Sequence, residues 1–300
     1  MKNQTKYVWM DGQIIPLANA GVPLLTHSLH YGSAVFEGIR CYQTPKGPAI
    51  FRLSDHVTRL FHSAAVMGMR VPFTKTQITK AIKAVVKKNK LEECYIRPII
   101  FYGEKMGLLP TGAPLHSAIA AWPWGKYLAH ETVSVKISTL QRLHPKTSLM
   151  TAKISGHYFN SILASLEAKK EGFDEALFLD SEDFVAEGPG ENVFFVKGKT
   201  LTTPTLGAIL PGITRASVMK IARDLGYKVV EKRIKPAELK KFSEAFFVGT
   251  AAEVNAIGKI NKLIFNNNTE GINTKMLKEV YQLAVHGEIK KYQNWLTYVK

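Results

Sequence analysis

The sequence predicts an α/β (α+β) protein of two domains, and three observations carry that expectation. Short apolar runs at 7–10, 94–103 and 244–249 alternate with stretches of helical periodicity at 54–67, 75–89 and 213–225. The 300 residues, 46% of them hydrophobic, suffice to fill two cores. The segment from about 125 to 132 reads as a connection. This predicts a small N-terminal α/β domain at 1–125, an interdomain connection at 126–132 and a larger C-terminal domain at 133–300. The chain carries no internal repeat or low-complexity tract.

In chain order, Asp11-Gly12 between Tyr7–Met10 and Gln13–Leu17 is a two-residue hairpin signal. Helices follow at 54–67, with Val57, Leu60, Phe61, Ala64 and Ala65 on one stripe, and at 75–89. Strands are expected at 94–103 and 117–122. Beyond the connection, strands at 133–139, 176–180, 184–187, 192–196 and 200–202 are expected as a meander-like run. It surrounds a helix that begins near Tyr158 and passes Ile162, Leu163 and Leu166 to Gly172. Ile213, Val218, Ile221, Ala222 and Leu225 recur at helical spacing, with Gly226 where a C-terminal cap belongs. Strands at 227–234 and 244–249 precede a last helix at 274–291, with Met276, Leu277, Val280 and Leu283 on one face. Asn266 to Asn268 is a short loop signal.

The stretch from Glu187 to Arg215 carries the most chemistry. It sets a carboxylate on a strand, follows it with a glycine-rich corner, and ends in a helix led by Gly212. The first N–H groups of a helix lack internal partners and carry positive partial charge, so those of Ile213 and Thr214 can hold a phosphate. An ordinary cap before a core helix would read the same way locally. Lys153 stands just before the helix that starts near Tyr158. Lysine is the side chain that forms a Schiff base with a carbonyl, and burial lowers its pKa so that the free amine can attack. Such a lysine could hold pyridoxal 5'-phosphate (PLP), with Tyr158 placed to bond the ring phenolate; a surface lysine at a helix entrance is the plainer alternative.

Six segments in register resolve these alternatives. They are HYGSAVFEGIRCY at 30–42, CYIRPIIFYG at 94–103, AAWPWGKYL at 120–128, the Lys153 segment TAKISGHYFNS, the Glu187 to Arg215 stretch, and VGTAAEV at 248–254. Through them the chain, from Tyr7 to about Leu296, resembles the branched-chain-amino-acid aminotransferases, which are class IV (fold-type IV) PLP enzymes. The resemblance implies two α/β domains with the cofactor between them. It implies Lys153 as the Schiff-base lysine and Glu187 as the partner of the pyridine nitrogen, which a carboxylate keeps protonated. The phosphate is then held by Arg59, Ile213, Thr214 and Thr250. Tyr31, Phe36, Trp124 and Tyr127 form an apolar side-chain pocket, with Gly38 in the same FEGIR run. Arg97 faces the distal carboxylate of 2-oxoglutarate or glutamate, with Tyr31 and Tyr127 nearby, and Arg40 supports Arg97 or Tyr95. Tyr95 and the backbone of Thr250 and Ala251 receive the α-carboxylate.

The implied reaction is ping-pong transamination between L-leucine, L-isoleucine or L-valine and 2-oxoglutarate, through a Lys153 aldimine and pyridoxamine phosphate. A D-amino-acid aminotransferase or an aminodeoxychorismate lyase would share Lys153, Glu187 and the phosphate clamp; the FEGIRCY and YIRP segments favour the branched-chain enzyme. A basic binding protein that has lost catalysis is opposed by the intact Lys153, Tyr158, Glu187, Arg59 and Thr250. Two departures stand out. Pro189 replaces a small residue and puts the hydrogen bonding of the 188–191 corner in question, and His157 replaces asparagine beside Tyr158. In the family the 104–112 loop, with Met106, Gly107 and Leu108, reaches a neighbouring subunit's site, and a homodimer or a hexamer (trimer of dimers) is implied.

Composition excludes other classes. The net charge of +16 invites a nucleic-acid or membrane reading, but Lys80, Lys83, Lys87 and Lys88 interleave with Ile82, Val85 and Val86 as on a solvated helix face, and Lys169-Lys170 and Lys240-Lys241 are short pairs. No specific nucleic-acid or membrane partner is expected. The start MKNQTKYVWMDG lacks a signal-peptide pattern and no apolar run reaches spanning length, so a cytoplasmic enzyme is expected. Cys41 and Cys94, far apart in sequence and without metal-ligand spacing, give no disulfide framework and no metal site, and fit a reducing compartment.

Overall fold

The structure, a computed structural model, describes residues 5–124 and 131–299. Most of the expected connection, together with Tyr127, lies outside the described residues. The chain divides into two compact units: Met1–Gly125 with Ala152–Gly156 and Ala284–Lys300, and Lys126–Thr151 with His157–Leu283. Residues 152–156 and 284–300 thus group with the N-terminal residues. The cause is strand pairing at both places, described below.

The first unit is built on an antiparallel sheet. Its strands are β1 (Tyr7–Met10), β2 (Gln13–Pro16), β3 (Ala34–Phe36), β4 (Ile39–Tyr42), β5 (Ala49–Phe51), β6 (Cys94–Tyr102), β7 (Leu115–Trp122) and, from the C-terminus, the last strand of the chain, Leu296–Tyr298. In space the order is last strand, β5, β4, β6, β7, β1, β2, with β3 also on β6. The β1–β2 turn is the expected hairpin: Asp11 and Gly12 both take positive φ, 47° and 99°, as a tight two-residue turn demands. Between strands lie α1 (His27–Tyr31), α2 (Leu53–Val66) and α3 (Lys75–Lys88). A capping box starts α3: Gln77 N–H donates to Thr74 Oγ1 (3.2 Å) and Thr74 N–H to Gln77 Oε1 (2.8 Å). Its buried Ile78, Ile82, Val85 and Val86 enter the core with Val57 and Leu60 of α2 and Ile96 and Ile100 of β6. Each such side chain contributes about 1.5–3 kcal/mol. The lysines at 80, 87 and 88 are exposed.

Register brings Cys41 directly opposite Cys94 on β4 and β6, both fully buried and free. Far apart in sequence, the thiols are neighbours in space; hydrogen bonding to Cys41, together with burial, pushes the Cys94 thiol far above its usual range.

The second unit carries a mixed sheet. Its strands are β8 (Thr132–Ile137), β9 (Glu175–Leu177), β10 (Asn192–Lys197), β11 (Thr200–Thr203), β12 (Lys228–Glu231), β13 (Glu244–Gly249), β14 (Glu253–Ile260) and β15 (Leu263–Ile264), in the order β12-β11-β10-β13-β14-β8-β9 with β15 on β14; the C-terminal strand of the first unit is β16. The expected meander is not what forms. β8 runs parallel to both β14 and β9, and β11 runs parallel to β12. The expected strand at 184–187 is reduced to a single bridge, Leu179 to Val185.

The helices of this unit are α4 (Tyr158–Lys170), α5 (Ile213–Asp224) and α6 (Ile272–Val285). α4 starts as expected but turns the other face inward. Ser161, Ala164 and Ala168 are buried, while Ile162, Leu163 and Leu166 are exposed with Phe159. Small residues let the helix lie close to Ala176, Phe178 and Ala186. The last helix is shorter than expected: it ends at Val285, Gly287 takes φ 76°, and β16 returns to pair with β5. Among the described residues no helix is long and apolar enough to cross a membrane, and no cluster of metal-ligating side chains occurs.

Candidate active site

In the first unit, the turn after α1 determines where Lys153 lies. Gly32 adopts φ 65°, and a Cβ on it would come 2.9 Å from Gly156 Cα, so only glycine lets the two segments meet. Gly156 N–H donates to Gly32 O (3.1 Å), Phe36 N–H donates to Lys153 O (3.1 Å), and Val35 bridges to Ile154. Ser63 of α2 closes the other side, accepting from Lys153 N–H at 2.9 Å. Lys153 is therefore fixed beside β3, next to the single bridge at Ile154, half-buried, with Nζ 5.1 Å from the centre of the Phe36 ring.

The same Phe36 ring faces Arg97, whose guanidinium carbon is 4.7 Å from its centre and 5.3 Å from that of Tyr95. Arg97 Nη2 reaches Tyr95 Oη at 3.4 Å, and Arg97 Nε is buried with no hydrogen-bond partner among the described residues. Tyr95 packs between Trp122 and Trp124, at 5.3 and 5.0 Å. A Cβ on Gly38 would overlap the Tyr95 hydroxyl, which gives this glycine a steric purpose. Arg40 lies opposite Tyr95 in register, its guanidinium 5.0 Å from the Tyr42 ring. Tyr31 is exposed, its ring tilted by 40° against His27 with centres 4.5 Å apart.

Arg59 leaves the apolar stripe of α2, as its position in the periodicity requires, yet its side chain is only 12% exposed. It grips the fully buried Glu37: Nε donates to Oε1 at 2.6 Å and Nη2 to Oε2 at 2.8 Å, while His56 Nδ1 adds a third bond at 2.7 Å. Burial would raise the Glu37 carboxyl, but the charge and hydrogen bonds of Arg59, with His56, hold it well below the usual carboxylate range. His56 is pushed down by its own burial, against the pull of Glu37. Sequence reasoning singles out neither Glu37 nor His56. The available signals are an acid inside the buried run VFEGIR and the His56, Arg59 spacing of one helix turn.

In the second unit, Glu187 is 3% exposed and fully engaged in position. Arg142 Nε donates to Oε1 (2.9 Å); Asn192 Nδ2 (3.0 Å) and Leu210 N–H (3.1 Å) donate to Oε2. Arg142 also donates through Nη1 to Asn160 Oδ1 and Ser161 Oγ in the first turn of α4, so one buried arginine ties Glu187 to the helix that starts with Tyr158. No sequence signal marks Arg142, which lies 45 residues before Glu187 in a segment without periodicity.

Pro189 is accommodated. Gly188 N–H donates to Glu191 O (2.8 Å) and Gly190 N–H to Glu191 Oε2 (3.0 Å), so the N–H that proline lacks falls between two that are used. His157 is buried and hydrogen-bonded to Ser148 Oγ; burial, with the Arg142 charge, lowers its pKa to about 4.

α5 begins at Gly212 with no side-chain cap. The Ile213 and Thr214 N–H groups lack intrahelical acceptors by helix geometry, and a Cβ on Gly212 would overlap Asn192 Oδ1. α5 packs on β13, whose end leads into the turn bearing Thr250 and Ala251, both half-buried. By kind, these groups are a half-buried primary amine, a buried carboxylate paired with an arginine, and an uncapped helix start. They fit the aldehyde, the pyridine nitrogen and the phosphate of PLP.

The chain is similar over nearly its whole length to known aminotransferases. The amino-transferase class IV family model matches residues 34–260. A branched-chain-amino-acid aminotransferase of Pseudomonas aeruginosa is 43% identical over 305 aligned positions, covering 100% of this chain and 99% of that protein, and the Escherichia coli K12 enzyme of the same name is 36% identical over 98% and 97%. Among solved structures, a branched-chain amino acid aminotransferase complexed with N-(5'-phosphopyridoxyl)-L-glutamate, from the organism abbreviated T.th., superposes with a TM-score of 0.96 at 43% identity, 99% of each chain being covered. The enzyme of the archaeon Thermoproteus uzoniensis with norvaline gives 0.94 at 41%, over 98% of this chain and 99% of that one.

Proposed function

The chain belongs to the class IV aminotransferases, and from that membership we propose how its own residues divide the work of a branched-chain-amino-acid transaminase. The reaction moves an amino group between L-leucine, L-isoleucine or L-valine and 2-oxoglutarate, with PLP as cofactor. PLP, when bound, supplies an electron sink for the carbanion at the substrate α-carbon.

Lys153 holds the cofactor and, once displaced by substrate, its Nζ takes the α-proton as general base. Glu187 keeps the pyridine nitrogen protonated, and Arg142, 2.9 Å away, holds the carboxylate in position. Tyr158 bonds the ring phenolate. Ile213, Thr214, Thr250 and Arg59 bind phosphate, Arg59 being oriented by Glu37. Tyr95, with the backbone of Thr250 and Ala251, receives the α-carboxylate. Tyr31, Phe36, Trp124 and Tyr127 bound the side-chain pocket, in which Gly38 makes room for Tyr95 and Arg40 braces its strand.

The observation that carries this reading is the Phe36 ring, which faces the Lys153 amine and the Arg97 guanidinium at once. An apolar surface between an amine and an under-satisfied cation accepts an aliphatic side chain, and the longer acid reaches beyond it to Arg97. Two exposed apolar surfaces, Leu24, Leu25, Leu29, Leu108 and Leu109 in one unit and Phe159, Ile162 and Leu166 in the other, support self-association as a homodimer or a trimer of dimers. The cytoplasm, where Cys41 and Cys94 remain thiols, is the compartment this reading implies. The test is a spectrophotometric panel on the PLP-loaded protein. L-Leucine, and not D-alanine, is expected to convert the yellow form to that of pyridoxamine phosphate; bleaching by D-alanine alone would assign a D-amino-acid aminotransferase instead.

A further inference from the structure

His27 has no part in the chemistry described so far, yet it is 2% exposed and every polar atom of its ring is engaged. Nε2 lies 3.0 Å from Gly107 O and 3.3 Å from Leu108 O; carbonyls only accept, so Nε2 carries the proton. Nδ1 lies 2.6 Å from Ser33 Oγ, within hydrogen-bond distance. Ser28 completes the cluster. Its hydroxyl donates to Ser33 O (2.6 Å) and accepts from Tyr102 N–H (2.8 Å). The imidazole packs against the Tyr31 ring, centres 4.5 Å apart and planes tilted by 40°.

These contacts join three pieces of the first unit at one side chain. Ser33 belongs to the turn that leads into β3 and Phe36. Tyr31 is a wall of the side-chain pocket in the reading above, on which this inference rests. Gly107 and Leu108 form the apex of the 104–112 loop. The loop is secured at its ends by backbone pairing, Thr26 with Glu104, Lys105 N–H to Leu25 O and Gly103 N–H to Pro114 O. Among the described residues, its apex at 106–109 receives hydrogen bonds from His27 alone, although Leu108 is 78% and Leu109 73% exposed. A loop apex with so few hydrogen bonds depends on its anchor to keep one conformation.

We propose that His27 is a positioning residue for substrate selection: it pins the 104–112 apex and the Tyr31 ring to the β3 turn, so that the pocket wall is formed before substrate arrives. A preformed wall lowers KM without touching proton transfer. Loss of the anchor therefore separates KM from kcat, which a merely structural histidine would not do.

The test uses the PLP-loaded enzyme with His27→Phe, which keeps a ring against Tyr31 and removes every hydrogen bond of the imidazole, and with Ser33→Ala, which removes the Nδ1 partner and a 3.2 Å contact to Ser28 Oγ but leaves the loop carbonyls with their donor. KM for L-leucine is expected to rise about tenfold in His27→Phe, the loss of roughly two ordinary hydrogen bonds, with kcat within about threefold and the cofactor absorbance unchanged. Ser33→Ala should show a smaller rise in the same direction. Tryptic cleavage after the exposed Lys105, followed by mass spectrometry, should accelerate in both variants in the same order. The cleavage arm tests the anchor even if the wild-type protein failed to turn over L-leucine, a failure that would strike the functional reading instead. Wild-type KM and wild-type cleavage in a folded His27→Phe protein would overturn the proposal, as would equal loss of kcat on every substrate with loss of cofactor. If His27→Phe does not fold, Ser33→Ala decides: no change in either readout overturns it.

Discussion

Glu187 accepts three hydrogen bonds from groups the fold has already placed, whereas Arg97 keeps a buried Nε without a partner among the described residues and touches Tyr95 Oη at only 3.4 Å. Leaving a buried donor unpaired costs about 1–3 kcal/mol, so such atoms are retained where a ligand pairs them. The contrast matches the two kinds of partner. A cofactor that stays through every turnover is best met by a carboxylate with fixed geometry and a fixed charge state. A substrate that alternates between aliphatic and acidic is met by a cation beside an aromatic ring, paired in only one half of the cycle. Glu37 and Arg59 follow the cofactor pattern, since a fully buried carboxylate grips the arginine on both edges.

Breaking the cofactor side should give the largest effects. Lys153→Ala is expected to lower turnover by more than about 10⁴-fold, measured as glutamate formation, because anchor and base are lost together. Glu187→Gln should follow at about 10²–10³-fold in kcat. Glu187→Ala should in addition cost about 3–5 kcal/mol in urea unfolding, since Arg142 is left buried without its carboxylate. On the substrate side, Gly38→Ala forces the Tyr95 hydroxyl to move. It should lower kcat/KM by about 10- to 100-fold, roughly 1.4–2.7 kcal/mol, through KM.

Outside catalysis, the expected effect is a pH dependence of stability. His157 is held at about 4 in the folded protein against 6.5 ordinarily, so the unfolded chain binds the proton first. Stability should therefore fall as pH drops from about 6.5 to about 4 and level off below. His157→Asn should flatten that slope in urea titrations taken across this range.

The two regions also differ in how far the sequence reveals them. The roles proposed for Lys153, Glu187 and the Gly212 helix start are readable in the sequence because each needs one residue type beside one recognisable local element. α2 and α3 are legible from their apolar stripes. The short strands β3, β4 and β5 lack alternation, being buried on both faces, and offer no period to read. The inward face of α4 departs from the apolar pattern because alanine and serine, not the larger apolar residues, make its contact. Glu37, His56 and Arg142 act through partners 19 to 45 residues away, and Cys41 meets Cys94 only through strand register. Long-range pairing leaves no local trace in composition or spacing.

The claim that one pocket serves two substrates by reserving Arg97 for the acid is tested most directly by half-reactions of Arg97→Leu in the stopped flow. With the PLP-loaded protein, the apparent dissociation constant for L-glutamate should rise by about 30-fold, the equivalent of about 2 kcal/mol for a charge-assisted contact, while that for L-leucine stays within about threefold. An equal weakening of both amino acids would contradict it, placing Arg97 on the α-carboxylate or in the scaffold instead.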